Sequence, residues 1–339
     1  MIQIFVYNLI FIAITFFTAS SSFATIWQIN NVGNDADFSS ITQSLENESV
    51  MNGDTLYISG STISYGDINI SKKLNIIGSG YFLGDNQDTQ ANLSSAKVGT
   101  VTFEQGSEGS SITGMDVYLI QVSVDNITVK RNKIKGIQLS NSVTKSIKNI
   151  LIVQNYITTE TGIGHALLIH SSTDANEIII SNNIIISNSA SYYTIYMHTN
   201  QRAIITNNVL IGNTLIHNSP FHNNINRTHG TNTFSNSDIK SNIGDKEQFG
   251  DIDGNNKANV DFSTVFIESE SHDAKYQLSQ NSPAIGAGYN GINCGAFDGT
   301  TPYILSGIPS IPTIYQVVAP AIASELSGMP VHIKVKSRN

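Results

Sequence analysis

A single cysteine, Cys294, and only seven prolines occur in 339 residues. A lone cysteine closes no internal disulfide, which excludes a small disulfide-stapled secreted scaffold. Cys294 also stands far from the N-terminus and so is not the lipid-bearing cysteine of a lipoprotein. Charge is scarce too: 13% of the residues are Asp, Glu, Lys or Arg, and the net charge is −8. A general nucleic-acid binder carries a basic footprint, so no nucleic-acid partner is expected. Beyond the N-terminus no run reaches the roughly 18 consecutive apolar residues of a spanning helix. The low charge does not signal disorder, because 40% of the residues are hydrophobic.

The one long apolar run lies at the start. Ile2 to Phe17 is almost continuously apolar, and Ala19-Ser20-Ser21-Ser22-Phe23-Ala24 comes next, with small residues and a Ser22-x-Ala24 cleavage pattern. Residues 1–24 therefore read as a signal peptide, although no Lys or Arg precedes the run. The alternative is an uncleaved anchor. Either way the chain is expected to be exported: secreted, periplasmic or at the cell surface.

What is abundant is asparagine, 37 residues, accompanied by many Ser, Thr and Gly. That composition favours turns and short strands over long helices. Four segments align: Asn126-Ile-Thr-Val-Lys-Arg-Asn132-Lys-Ile134, Asn149-Ile-Leu-Ile-Val-Gln-Asn155-Tyr-Ile157, Glu177-Ile-Ile-Ile-Ser-Asn-Asn183-Ile-Ile185 and Arg202-Ala-Ile-Ile-Thr-Asn-Asn208-Val-Leu210. Each is a β-branched run, an Asn, then an apolar residue within two positions. The second Asn of each recurs at spacings of 23, 28 and 25 residues. An irregular period in this range is the mark of a β-solenoid whose coils carry one loop of variable length. Alternate side chains such as Ile127 and Val129 are expected to point inward. Asn132, Asn155, Asn183 and Asn208 are expected to stack at one bend, where Asn tolerates left-handed backbone angles and bonds its amide to the Asn above and below.

The expected architecture is thus all-β, a right-handed parallel β-helix of about ten coils over residues 55–300. Residues 25–54 form an N-terminal cap, with an amphipathic helix carrying Phe38, Ile41 and Leu45 and Asp37 as its N-cap. Asn281 to Gly288 and Asn293 to Phe297 suit a last tight coil, and residues 301–339 an extended closing segment that ends in the alternating strand Val331 to Lys336.

Ala36-Asp37-Phe38-Ser39-Ser40-Ile41 with Gly53-Asp54-Thr55-Leu56-Tyr57-Ile58 resembles the opening of exported bacterial, Bacteroidetes-like proteins with the pectate-lyase-like β-helix fold. Ser282-Pro283-Ala284-Ile285-Gly286-Ala287-Gly288 and Cys294-Gly295-Ala296-Phe297 are similar to the last coil of many of them. The resemblance spans roughly residues 25–335 and implies the fold, not an activity. Its members include polysaccharide lyases, glycoside hydrolases and surface adhesins.

Enzymes of that kind need a carboxylate cluster for calcium with a basic residue, or paired carboxylates. Between Asn126 and Ile211 the acidic residues are Glu160, Asp174 and Glu177, all at loop-like positions. Asp251-Ile-Asp253-Gly254-Asn255 superficially resembles a calcium loop, but the glycine falls at the fourth position and Phe262 at the twelfth. No cofactor is expected; calcium is conceivable but unsupported. The best stacked polar feature is histidine: Leu167-Leu-Ile-His170 aligns with Ile195-Tyr-Met-His198 and Leu215-Ile-His217. His170, Tyr196, His198 and His217 are expected to project outward, with His165 in the adjoining loop. Imidazoles beside a Tyr suit a sugar, general-base work or a metal, or simply a solvated polar stack. A second feature is basic: Lys130, Arg131, Lys133, Lys135, Lys145 and Lys148, a strip suited to an anionic polysaccharide or to a solvated row of turns. The leading expectation is a protein that binds polysaccharide or cell-envelope material on the solenoid flank. The alternatives are a polysaccharide lyase or glycosidase, and a structural adhesin-like rod.

Overall fold

The computed structural model describes residues 24–33, 35–139, 147–160, 162–170, 175–250, 254–322 and 328–337. Nearly all of the expected signal peptide, Lys145, Asp174, Asp251 and Asp253 lie outside these residues. Among the described residues no helix is long and apolar enough to cross a membrane.

Short β-branched runs with alternating burial make the chain a parallel β-solenoid. One sheet stacks ten strands in chain order: Ile26–Ile29, Thr55–Ile58, Asn75–Ile77, Ser111–Thr113, Thr128–Lys130, Ile147–Val153, Ala175–Ser181, Ala203–Thr206, Pro220–His222 and Asp238–Lys240. The intervening strands form a second sheet of thirteen strands, also paired in parallel. Register aligns one inward residue per coil: Leu56, Ile76, Ile112, Val129, Ile152, Ile180, Ile205, Phe221 and Ile239. Each is at most 1% exposed. Burying a side chain of this size stabilises by about 1.5–3 kcal/mol, so this single column is a major part of the core.

The N-terminal helix is shorter than its pattern implies. It spans Ile41–Glu46, and Ser40, not Asp37, is the N-cap, accepting from the Gln43 N–H. Asp37 instead accepts from the Gln28 N–H at 2.8 Å. Phe38 and Ile41 are buried and join the core, so the segment does cover the first coils.

The asparagines divide into two columns. At the buried bend the ladder has seven members: Asn132, Asn155, Asn183, Asn208, Asn224, Asn242 and Asn256. The Asn183 Oδ1 accepts both the backbone N–H and the Nδ2 of Asn155, at 2.9 and 3.0 Å. The Asn183 Nδ2 donates to the Ile152 carbonyl at 2.8 Å and to Asn208 Oδ1 at 3.0 Å. Every hydrogen-bonding site of the carboxamide is thereby used where the backbone turns from one sheet to the other. The left-handed backbone expected at these residues falls one position earlier, on Arg131, Gln154, Asn182, Asn207, Asn223, Ser241 and Asn255, with φ between 54° and 59°. The second column is exposed at another corner. There Asn126 and Asn149 adopt φ 61° and 56° and are joined by a 2.9 Å amide bond. One Asn column is selected for hydrogen-bonding capacity, the other for tolerance of positive φ.

The last solenoid strand is Ile243–Gly244. The stretch 281–297, expected as a final coil, forms no strand; it belongs to a strap that runs back along the flank. Cys294 Sγ donates to the Ser241 carbonyl at 3.0 Å, and the Gly295 N–H to the Asn223 carbonyl at 2.9 Å. Asn182 donates to the Ala296 carbonyl at 2.9 Å, Gln154 to the Pro302 carbonyl, and Arg131 to the Ile308 carbonyl at 3.1 Å. As strap numbers rise, partner numbers fall. The strap therefore docks on the left-handed column, whose side chains supply donors to its carbonyls. Its apolar underside, Val265, Ala284, Cys294, Ala296 and Tyr303, covers Tyr156, Ile184, Val209, Ile225 and Ile243. These five each come directly after a ladder Asn, so residues such as Ile184 and Ile185 are buried on opposite faces of one strand. At its far end the strap is clamped by Asp273, which is fully buried and accepts from Asn86, Ser271, Tyr303 and the Ser306 N–H at 2.7–3.3 Å.

Asn183→Ala leaves the Asn155 N–H buried without a partner and removes one donor from the Ile152 carbonyl, and is expected to cost about 2–4 kcal/mol in urea unfolding. Asn149→Gly, at the exposed corner, is expected to shift stability by about 0.5 kcal/mol or less. Equal effects would refute the division of roles. Cys294 is covered by the strap, and burial pushes its thiol up to about 12. Native protein is expected to react with iodoacetamide at least ~100-fold more slowly than protein in urea; comparable rates would show the strap open.

Candidate functional site

Through the first half of the solenoid the second sheet is built from long strands, Ala96–Phe103, Met115–Val122 and Lys133–Leu139. In the next coil the strand is split. Tyr156–Thr158 pairs with the start of Lys133–Leu139, and Leu167–Ile169 with its end. Residues 159–160 and 162–166, between these two short strands, bulge outward, and residues 187–192 do the same one coil later. Gly136 lets the first bulge settle on the sheet, since a Cβ there would stand 2.4 Å from Ile163 Cγ2. The two bulges enclose a cleft of about 540 Å³ lined by Thr159, Glu160, Gly162, Asn188, Ser189 and Tyr192.

A run of rings leads away from the cleft wall at Tyr192. His165 stacks on Tyr196 with centroids 4.3 Å apart and planes 15° apart, and contacts Tyr192 edge-on at 5.8 Å and Tyr193 at 5.4 Å. Tyr196 continues edge-on to His198 at 5.1 Å. The Tyr193 N–H donates to His165 Nδ1 at 3.0 Å, which places the ring proton on Nε2. Burial, then the neighbouring His198, holds the His165 imidazole below its ordinary range, and the same two causes lower His217. Both are neutral rings with apolar faces near neutral pH.

The expected alignment of the histidine segments agrees with the register: Leu167 pairs with Ile195, Leu168 with Tyr196, and Tyr196 with Leu215. Leu167, Ile169, Ile195 and Met197 are buried, whereas Tyr196, His198 and His217 are half-buried on the outer face. His170 occupies the matching position, but the aromatic contacts run through His165 instead. The fully buried Gln201 ties the two coils together, donating to the His170 carbonyl and accepting from the His198 N–H, both at 2.6 Å. His165, in the loop before Leu167–Ile169, is thus the centre of the cluster.

The basic residues do not form one strip. Arg131 is 2% exposed beneath the strap. Lys133 pairs with Asp116 at 3.0 Å on the outer face, and Lys135 pairs with Glu160 at the cleft. The bend that places Asn132 inward sends its neighbours to different surfaces. Among the described residues no group of three or more His, Cys, Asp or Glu could hold a metal ion.

One oriented histidine escapes the sequence pattern. His272 Nδ1 and Asp85 Oδ2 are 2.6 Å apart, and the ring lies flat on Phe82 at 4.7 Å. Asp85 and His272 are 187 positions apart and meet only because the strap folds back. No repeat or spacing could have joined them.

Comparisons of the chain with protein-family models, with curated proteins and with solved structures find no match in any of the three.

The lowered imidazoles set a pH dependence. An unfolded histidine takes up its proton near pH 6.5, whereas folded His165 resists protonation to lower pH. Between the two values the unfolded chain binds more protons, so stability falls as pH drops below about 6.5 through the folded pKa. Urea unfolding at pH ~7.5 and ~5 is expected to show this loss, and His165→Gln to make it shallower. An unchanged slope in the variant would remove His165 as a cause.

Proposed function

We propose that this chain is an exported, right-handed parallel β-helix of the pectate-lyase-like superfamily that binds polysaccharide at the bulged coils of its flank. The observation that carries this reading is the ring cluster Tyr192, His165, Tyr196 and His198, which meets the cleft at Tyr192, where the other walls are hydroxyl, carboxamide and backbone groups and the Glu160 carboxylate. A sugar presents apolar C–H faces and a hydroxyl rim. Neutral aromatic faces accept the first, and Asn188, Ser189 and Thr159 offer partners for the second. Tyr192 is 39% exposed and serves as the outermost platform. The apolar run at residues 2–17 and the small residues before Thr25 support export.

The binding reading is favoured over hydrolysis by the carboxylates. Hydrolysis of a glycosidic bond employs two of them across the scissile bond. The cleft presents Glu160, tied to Lys135.

A glycan panel with calorimetric follow-up tests this. Tyr192→Ala and Tyr196→Ala are each expected to weaken binding at least ~10-fold, in line with the loss of a ring contact of about 1.5 kcal/mol. Binding untouched by both substitutions would move the site elsewhere. Release of shortened or unsaturated sugars from the same panel would replace binding with catalysis.

A further inference from the structure

The first strand, Ile26–Ile29, is the open edge of the ten-stranded sheet, and one carboxylate fastens it. Asp54 stands just before the next strand, Thr55–Ile58, and is 2% exposed. Its Oδ1 accepts the Thr25 N–H at 2.8 Å. Its Oδ2 accepts the Trp27 Nε1–H at 2.8 Å and the Met51 N–H at 2.9 Å. Burial works to raise the Asp54 carboxyl, but these three donors hold it below its ordinary range, so it is ionised at neutral pH. All three donors are neutral. Among the described residues Asp54 belongs to no ion pair. The cation that acts on it, Lys72, directs its ammonium to the Asn47 and Val50 carbonyls instead, both at 3.0 Å. A carboxylate this well covered is ordinarily matched by a cation.

The chain itself can supply that cation. The small residues before Thr25 predict a leader-peptidase cut after Ala24. In that cut the C–N bond breaks, the hydroxyl of one water goes to the Ala24 carbonyl carbon and its proton to the Thr25 nitrogen. At neutral pH the new carboxylic acid gives up its proton and the new amine takes one. The Thr25 nitrogen, already 2.8 Å from Asp54 Oδ1, thereby changes from a neutral amide to an ammonium. The Thr25 carbonyl accepts the Thr55 N–H at 2.8 Å, which fixes the position of that nitrogen. Ala24 and Thr25 are both exposed, so a chain terminus has room there. A cut one residue later deletes the donor, and a retained leader keeps it neutral. Resting on the export reading above, we propose that Asp54 is the receptor for the processed amino terminus: removal of residues 1–24 sets the Thr25 ammonium on its carboxylate and completes the first coil. A hydrogen bond between two charged groups is roughly twice as strong as one between neutral groups, so processing tightens the edge strand.

Two measurements test this. The full chain is expressed with its leader in a Gram-negative bacterium, and the exported product is sequenced from its amino end. Thr25 is expected as the first residue. A product that keeps residues 1–24 overturns the cleavage reading and the proposal together, whereas a cut at another bond overturns the proposal alone. Two chains are then made directly, one beginning at Thr25 and one at Ser21, both with Asp54 intact. At pH ~7 the unfolding constant in urea is expected to be at least ~5-fold smaller for the chain that begins at Thr25. The carboxylate raises the folded pKa of the amine above its unfolded value of about 7.7–8.0, so the advantage is full below that value and is lost as pH rises through the folded one. By pH ~10.5 the two chains are expected to unfold alike. Equal stability at pH ~7, or a difference that persists at pH ~10.5, overturns the proposal and leaves export standing. In Asp54→Asn versions of both chains the difference at pH ~7 is expected to disappear; its survival there would place the ammonium on another partner.

Discussion

The fold rests on one carboxamide per coil. At the bend between the two sheets the backbone changes direction inside the wall, away from water, and its polar groups need partners there. A stacked Asn meets that need in both directions: its oxygen takes two donors from the preceding coil, and its nitrogen reaches a strand carbonyl and the next Asn. An unsatisfied buried group costs about 1–3 kcal/mol, so each rung supports its neighbours beyond its own bond strength. The ladder also dictates the roles of the residues on either side of it. After the five rungs from Asn155 to Asn242 the next residue is turned outward on its strand and joins the apolar column under the strap. The residue before each Asn is left in the left-handed conformation, and from Arg131 to Asn223 its side chain anchors the strap.

The bulged coils illustrate how such a scaffold acquires a site. The first half of the second sheet has continuous strands, and its outer face carries polar side chains such as Thr102, Gln121 and Gln138. Splitting the strand after Thr158, and again after Ile186, creates walls without disturbing the core column, because the register resumes at Leu167 and Ile195. Within the ring cluster Tyr193 and Tyr196 sit on a strand, His165 and Tyr192 come from the loops that shape the cleft, and those loops carry no core residue of the inward column.

The solenoid is legible because its signal is periodic. Four Asn-centred segments with β-branched runs identify the ladder, and the parallel pairing of both sheets agrees with that reading. Two later rungs, Asn224 and Asn256, escape because their coils shrink to 16 and 14 residues and lose the long β-branched run. The strap passes for a coil for a related reason: its small and apolar residues resemble those of a coil, and what distinguishes them is their partner, which is remote. The apolar pairs after several ladder Asn are the available signal. A strand buried on one face alternates, and Ile184-Ile185-Ile186 does not. Of the histidine column, outward projection and register are readable from alternation. The central place of His165 is not, because it depends on how a loop closes over Gly136.

The return of the strap also governs how the molecule is made. Tyr81 and Tyr303 share a 2.7 Å hydroxyl contact across 222 positions, and Asp273 joins Asn86 to Ser306. Coils can stack one upon another as the chain grows, each touching the one before. The outward column of Tyr156, Ile184, Val209, Ile225 and Ile243 nevertheless stays wet until the strap arrives. Closure of this kind has high contact order and is slow. A chain cut short before the strap would be a solenoid with one greasy side, prone to associate with others like it.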